Sequence, residues 1–317
     1  MEFEVQLRDR ARELLEGGQS DIIIGYEAGT APFSCAPLWA RSPEDVERLV
    51  WNPTCVNNLA VYLPQAVKQG KVAVVVKPCD AKSVVELLKE NQIEREDVKT
   101  IVVPCPGVLN LDALAEIDLA DVKSVEWVND GIKVTSGSGE VSIPREKAFL
   151  AKCLSCTLGD PAIADIKIGE QPARTPITDS KTSVEEYEKM SPSERREFWG
   201  KHFTNCIRCY ACRQACPACY CKECFTDKLG QMWLTRSTDP TTNWFFHMTR
   251  AMHLAGRCIG CGECERACPM GIPLSLLNKK IDMDVADMFG DSPGQSPEGL
   301  PILGAWRDDD PDPCPEE

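Results

Sequence analysis

Apolar and polar positions follow two rhythms along the first half of the chain. Lys71–Lys77 (KVAVVVK) and Thr100–Val103 (TIVV) are β-branched runs of the kind buried on both faces of a sheet, and Asp21–Ile24 (DIII) is a shorter one. Between the two long runs, Ala81–Asn91 (AKSVVELLKEN) repeats its apolar residues at helical spacing. Strand, helix and strand in that order make a βαβ unit, which implies parallel pairing and a right-handed crossover. Ser42-Pro43-Glu44 opens a helix with a serine cap and proline at its first position, and Asn57–Lys68 reads as another, interrupted at Pro64. Further on, Ser124–Val128 and Ile132–Ser136 flank the turn Asn129-Asp130-Gly131 as a hairpin, and Ala164–Gly169 (ADIKIG) is a last short strand. The opening MEFEVQLRDRARELLEGG is a charged amphipathic pattern with no apolar stretch of the kind a signal peptide needs. The longest apolar run near a strand, Val72–Val76, is far too short for a membrane span, so no membrane insertion is expected.

The pattern changes after residue 170. From Gln171 to Thr182 the chain turns to Pro, Thr and Ser, a linker composition. Ser191, Pro192 and Glu194 then spell a helix start, with the serine as N-cap, proline at N1 and glutamate closing a capping box. The expected fold is an α/β domain with a mostly parallel sheet over residues 1–170 and a linker over 171–190. A dicluster ferredoxin-like α+β domain over 191–290 follows, with an insertion at 217–257, and then an acidic tail over 291–317.

Composition narrows the function classes. With 317 residues, 43% hydrophobic and 26% charged, the chain has the make-up of a globular protein with room for two domains. A net charge of −14 argues against a nucleic-acid partner. Residues 281–317 hold eleven Asp or Glu and one Arg, and the last eighteen residues, rich in Pro and Asp, read as a solvated tail. Eighteen cysteines in a chain of this size, without an export signal, fit reduced thiols serving as metal ligands in the cytoplasm better than a secreted disulfide scaffold.

Seven of those cysteines fall between Thr204 and Phe225, TNCIRCYACRQACPACYCKECF. Cys206-x2-Cys209-x2-Cys212-x3-Cys216-Pro217 is repeated as Cys258-x2-Cys261-x2-Cys264-x3-Cys268-Pro269. Both are the four-cysteine run that holds a cubane in two-cluster bacterial ferredoxins, where the fourth thiolate ligates the other cluster. The spacing therefore predicts one [4Fe–4S] cluster on Cys206, Cys209, Cys212 and Cys268, and another on Cys258, Cys261, Cys264 and Cys216. Gly260 and Gly262 let the backbone turn closely about the sulfur. Zinc would want two separated pairs of ligands rather than two four-thiol runs each ending in Cys-Pro. The 41 residues from Pro217 to Arg257 carry Cys219, Cys221 and Cys224, which read either as ligands of a further metal or, by preference, as small buried side chains near a cluster. Trp233, Trp244, Phe245 and Phe246 read as core shielding the clusters, and His202, His247 and His253 as structural.

Cys79, in KPCDAKS, and Cys105, in VPCPG, follow the two long strands and so stand where open α/β sheets place ligands. Asp80 would cap the helix starting at Ala81, and a helix N-terminus lowers a thiol pKa. Cys153-x2-Cys156 completes a possible third cluster site; Cys35 and Cys55 are weaker alternatives for it, and Cys314 lies in the tail.

APLWARSPEDVERL, KVAVVVKPCDAKSVVELLK, TIVVPCPG and KCLSCTLGDPAIADIKIGE together resemble the beta subunits of coenzyme F-420 hydrogenases and related dehydrogenases, over roughly residues 36–170. The resemblance implies a domain with a [4Fe–4S] cluster and FAD that passes electrons between clusters and a deazaflavin. It implies Cys79, Cys105, Cys153 and Cys156 as cluster ligands. It also implies partners such as a formate dehydrogenase, a hydrogenase or a heterodisulfide reductase. Where that family has a serine–glycine–glycine opening, this chain has GYEAGTAPFSC (25–35), which leaves the flavin residues unassigned; there is no GxGxxG after a strand and no P-loop. The expected function is an iron–sulfur electron-transfer subunit within a cytoplasmic redox complex of several chains, with no general acid or base of its own. The alternative is a flavin-dependent oxidoreductase that reduces a soluble hydride carrier.

Overall fold

The strands form where the β-branched runs lie. In the computed structural model, which describes residues 2–310 apart from 158, 173, 174, 229–233, 236, 305, 307 and 309, they are β1 (Ile22–Ala28), β2 (Cys35–Ala40), β3 (Val72–Val76), β4 (Val98–Val102), β5 (Val122–Val128), β6 (Gly131–Ser136), β7 (Gly139–Pro144) and β8 (Ile166–Lys167). Five of them make one sheet in the order β2-β1-β3-β4-β8. β1 pairs parallel with β3, β3 with β4 and β4 with β8, while β2 lies antiparallel on the β1 edge. All five residues of β3 are buried, as a central strand covered on both faces must be. The amphipathic opening is a helix, Glu2–Glu16, that turns Leu7, Ala11 and Leu14 into the sheet core.

Local chemistry explains where the expectations shift. Ser42 caps its helix through a complete capping box with Asp45, but the helix lasts only one turn, Pro43–Val46. The segment after Asn57 breaks into short turns, Leu59–Tyr62 and Leu63–Ala66, with the Asn58 side chain accepting from the Ala60 amide. The crossover helix runs Pro78–Lys89, with Lys77 as N-cap, and not from Ala81 with Asp80 as cap. Pro78 accounts for the earlier start, because its fixed φ suits the first helical position. The hairpin turns on Asn129-Asp130 alone, since Gly131 already pairs with Val128, and β7 adds a third strand to this small antiparallel sheet.

Asp80 takes a different job from capping. It sits beside Lys77, and both side chains are about 1% exposed with Nζ and Oδ2 2.7 Å apart. The Lys77 ammonium also donates to the Tyr26 hydroxyl (2.8 Å), the Asn57 carbonyl (2.8 Å) and the Cys55 carbonyl (3.1 Å). Burial alone would drive the ammonium down, yet Asp80 and Tyr26 hold it well above its ordinary range. A cation is thus sealed under the carboxyl ends of β1 and β3.

Beyond the sheet the regular elements are helical. Ser191 and Glu194 make the expected capping box on Pro192–Thr204, and Thr182–Glu188, Pro240–His253 and Leu274–Phe289 complete the longer helices. Among the described residues of 191–290 there is no strand, so the ferredoxin-like part is not the α+β unit expected. The insertion supplies helix Pro240–His253 in its place. A core of Trp199, Phe203, Leu234, Phe246, Ile272 and Leu277 fills this half. Phe245, expected as core, is 47% exposed, because its neighbour Phe246 occupies the inward face of the same helix. Trp233, Cys314 and the last seven residues of the acidic tail lie outside the described residues. No described helix is long and apolar enough to cross a membrane.

The two halves are tied by charged contacts. Arg257 Nε donates to Glu90 (2.6 Å), Arg266 to the Asn57 side-chain oxygen (2.7 Å), and Glu86 accepts from the Gly294 amide (2.6 Å). Asp80→Asn is expected to remove about 3–5 kcal/mol of stability by leaving the Lys77 ammonium uncompensated. Lys77→Met with Asp80→Leu should cost less than Asp80→Asn alone, both read from urea unfolding.

Candidate metal centre

The two cysteine runs fold into the same loop. In each, the residues two and four positions after the first cysteine are left-handed: Gly260 (φ 69°) and Gly262 (φ 70°) in the second run, Arg208 (φ 55°) and Tyr210 (φ 59°) in the first. Glycine adopts this conformation freely, whereas Arg and Tyr hold it at a cost of about 1–2 kcal/mol each. Repetition of the same two left-handed positions in unlike residues shows that the spacing of the cysteines, not the glycines, sets the curl. The curl turns amides toward sulfur. The Arg208 N–H donates to Cys206 Sγ (3.4 Å), and in the second run the Gly260 and Glu263 amides hydrogen-bond the Cys258 and Cys261 sulfurs.

The last thiol of each run lies near the thiols of the other. Cys206, Cys209, Cys212 and Cys268 line one cavity with Tyr210, Phe246 and His247, and about 310 Å³ between its walls is free of protein atoms, counting the open mouth. Cys268 faces Cys206 and Cys212 closely enough to raise both thiols electrostatically. Cys216 in turn acts on Cys258, Cys261 and Cys264. Burial pushes the Cys258 and Cys261 thiols up to about 12 and Cys212 up to about 11. Among the described residues no three His, Cys, Asp or Glu side chains close on a point where a single ion would sit.

Three of the four sheet-side cysteines also share a neighbourhood. The loop carrying Cys105 is pinned by Trp51 Nε1 on the Pro104 carbonyl (2.9 Å), Trp127 Nε1 on the Gly107 carbonyl (2.7 Å) and the Gln171 side chain on both the amide and carbonyl of Cys105 (3.0 and 3.2 Å). Cys79 lies within electrostatic reach of Cys105, and Cys105 packs on the core that contains Cys153. Cys156 is tied to this group through its amide on the Cys153 carbonyl (3.5 Å). The helix N-terminus does not leave Cys79 a low thiol pKa: burial, reinforced by Asp80, pushes it well above the ordinary value. Cys35 and Cys55 stand apart as their own pair, Sγ to Sγ 3.7 Å, with the Cys35 sulfur 2.9 Å from Thr54 Oγ1. Of the insertion thiols, Cys219 hydrogen-bonds Cys216, Cys224 lies by Arg213 and Thr226, and Cys221 is exposed, so Cys221 is not the buried side chain expected.

Comparison with known proteins follows this division. Residues 69–187 match the family described as the C terminus of the coenzyme F420 hydrogenase/dehydrogenase beta subunit, and residues 205–273 match the 4Fe-4S dicluster domain. It is 25% identical to the F420-dependent formate dehydrogenase subunit beta of Methanocaldococcus jannaschii, over 93% of this chain and 92% of that protein. It is 26% identical to the F420-dependent formate dehydrogenase 1 subunit beta of Methanococcus maripaludis, over 92% of this chain and 90% of that one. A chain of the F420-reducing [NiFe] hydrogenase complex from Methanosarcina barkeri aligns with 49% of this chain and 58% of its own length, at 21% identity and a TM-score of 0.38.

One residue of the first matched region reaches the second, with little to mark it in the sequence. Lys152, next to Cys153, donates from Nζ to the Cys261 carbonyl (2.6 Å) and lies 3.9 Å from Glu263. Glu263 is 2% exposed and is held at 2.7 Å by Arg266 as well. Cys79 and Glu263 together keep the Lys152 ammonium raised against the lowering effect of burial. One side chain therefore fixes the second cysteine loop against the sheet-side thiols. Its only sequence signal is its place beside a CxxC. Lys152→Met is expected to cost about 1.5–3 kcal/mol, the worth of a hydrogen bond from a charged donor. Hydrogen exchange should show the loss as faster opening at residues 258–266, with the sheet amides unchanged.

Proposed function

We propose that the chain is an electron-transfer subunit that relays single electrons through two [4Fe–4S] clusters to or from a catalytic partner in a cytoplasmic redox complex. Cys206, Cys209, Cys212 and Cys268 would hold the first cluster and Cys258, Cys261, Cys264 and Cys216 the second. The observation that carries this reading is the single cavity lined by three thiols of one run and the last thiol of the other. That exchange is what the ferredoxin spacing demands. The cubanes supply the one-electron chemistry when bound; the chain's part is to seat them, exclude water and aim amide donors at their sulfur. Asn278 adds a side-chain donor 3.5 Å from Cys264 Sγ, and Asn243 fixes the start of the first loop by donating to the Cys206 carbonyl at 2.9 Å.

A third cluster on Cys79, Cys105, Cys153 and Cys156 is part of the proposal. Its support is the convergence of two strand ends and a CxxC on the side of the sheet where Lys152 reaches the second loop. Partners of the formate dehydrogenase, hydrogenase or heterodisulfide reductase type fit the likeness to formate dehydrogenase beta subunits along more than nine-tenths of the chain. The same likeness favours a second reading, in which the sheet domain binds FAD and exchanges hydride with a deazaflavin. FAD released by acid from anaerobically purified protein would establish that reading, and its absence would remove it.

Iron and acid-labile sulfide on the anaerobic chain test the main reading: about eight of each are expected from the two runs and about four more from the third site. Cys216→Ser should remove the spectroscopic signal of the cluster on Cys258, Cys261 and Cys264 and spare the other. Loss of the cluster on its own run instead would sink the exchange of ligands. Cys79→Ser should lower the iron count by about four while leaving both dicluster signals intact.

A further inference from the structure

Helix Pro240–His253, contributed by the insertion, buries three polar side chains on one face: Asn243 (0% exposed), His247 (2%) and Arg250 (4%), spaced four and three residues apart. Asn243 holds the first cysteine loop and His247 lines its cavity. Arg250 goes deeper. Its guanidinium donates to the Cys212 carbonyl (3.1 Å), hydrogen-bonds the Cys219 sulfur, and leaves Nε buried without an acceptor. Among the described residues it has no carboxylate partner. Its electrostatic neighbours are sulfurs of both runs, Cys212 from the first, Cys264 from the second, and Cys216, which sits on the first and faces the second.

A guanidinium stripped of water and of any carboxylate is costly to bury unless other negative charge stands against it. The groups that can supply that charge are the cysteine sulfurs, once they are thiolates on metal. Resting on the cluster reading above, we infer that Arg250 is a counter-cation shared by both cubanes, raising their two reduction potentials together. One-electron reduction of either cluster would reduce its iron and add one negative charge to the cluster as a whole, and a fixed positive charge beside both sites favours that added charge in each. The insertion thereby makes the two couples respond as a pair. Arg250 is a tuning residue and ligates nothing.

The test is an EPR-monitored redox titration of the full-length chain, reconstituted anaerobically, with iron and sulfide counted first. Arg250→Met is expected to keep its iron and to lower the reduced-to-oxidised ratio of both clusters at a given potential about tenfold, a negative shift of about 59 mV for a one-electron couple. Arg250→Lys, which keeps the charge, should recover most of the shift. Unmoved potentials in Arg250→Met, or movement of one cluster alone, would overturn the inference while leaving the clusters established. A wild-type chain without iron would overturn the cluster reading itself. Should Arg250→Met fail to load, pulsed EPR on wild-type protein carrying arginine labelled only at its guanidinium nitrogens decides: nitrogen coupling at both reduced clusters, lost in Arg250→Lys, is the expected result, and coupling at neither or at one overturns it.

Discussion

Sulfur enters a protein interior as a neutral thiol unless something compensates the charge of the thiolate, and most of this structure is arranged around that constraint. Burial pushes Cys258 and Cys261 up to about 12 and Cys212 up to about 11, so the folded chain by itself keeps these thiols protonated. Metal binding needs the thiolate. The chain meets the difference with dipoles and cations drawn from several elements: amides of the curled loops, the Asn278 side chain, Arg250 from the insertion and Lys152 from the sheet domain. Each is weak or badly screened when considered singly. Together they surround the sulfurs with donors; of the carboxylates that oppose them, Glu263 is already engaged by two cations, while Asp282 acts on Cys258.

The same constraint governs the seam between the halves. Parallel strands deliver Cys79 and Cys105 to one end of the sheet because both follow directly from β3 and β4, whose registers are locked residue by residue from Val72 with Val98 to Val76 with Val102. Lys77, at the end of β3, is hydrogen-bonded to Tyr26 and paired with Asp80, and it acts on the Cys79 thiol more weakly than Lys152 does. Lys152 fills that role from the other side, and its second contact, on the Cys261 carbonyl, makes the position of the dicluster loop depend on the position of the CxxC. Redox centres that exchange electrons need fixed separations, and a buried cation bonded to both sides is a stiffer link than an exposed ion pair.

How much of this is legible in the sequence depends on the kind of signal. The cysteine spacing encodes the curl, which recurs at the same two positions of both runs, and it anticipates that Cys268 stands beside the thiols of the first run. The central strands β3 and β4 are legible because a run of β-branched residues with no polar interruption fits little else. The capping box at Ser191 is legible because its three residues are local. What the sequence hides is long-range. Lys77, Lys152 and Arg250 look like ordinary surface cations there, and only the fold places them where water is excluded. β2 and β7 are hidden because edge strands carry mixed patterns, here CAPLWA and GEVSIP, that local reading assigns to loop. The strands expected of a ferredoxin-like unit rested on likeness to smaller proteins, and in this chain the insertion replaces them.

That replacement is informative in itself. A minimal two-cluster unit closes its loops with short connections, and its sulfurs lie near the surface. Here the 41 residues between the runs carry the entropy cost of a longer connection, which grows only slowly with length. In return they lay a helix across the first loop whose inner face is polar at Asn243, His247 and Arg250 and apolar at Phe246 and Ala251. Phe246 meets Tyr210 edge-on and lines the cavity with it, which keeps the cavity dry, and drying strengthens every charge left inside it. A helix that merely covered the clusters would be served by apolar residues throughout. One that carries an unpaired guanidinium to the space between the two runs is arranged to act on the electrons that pass there.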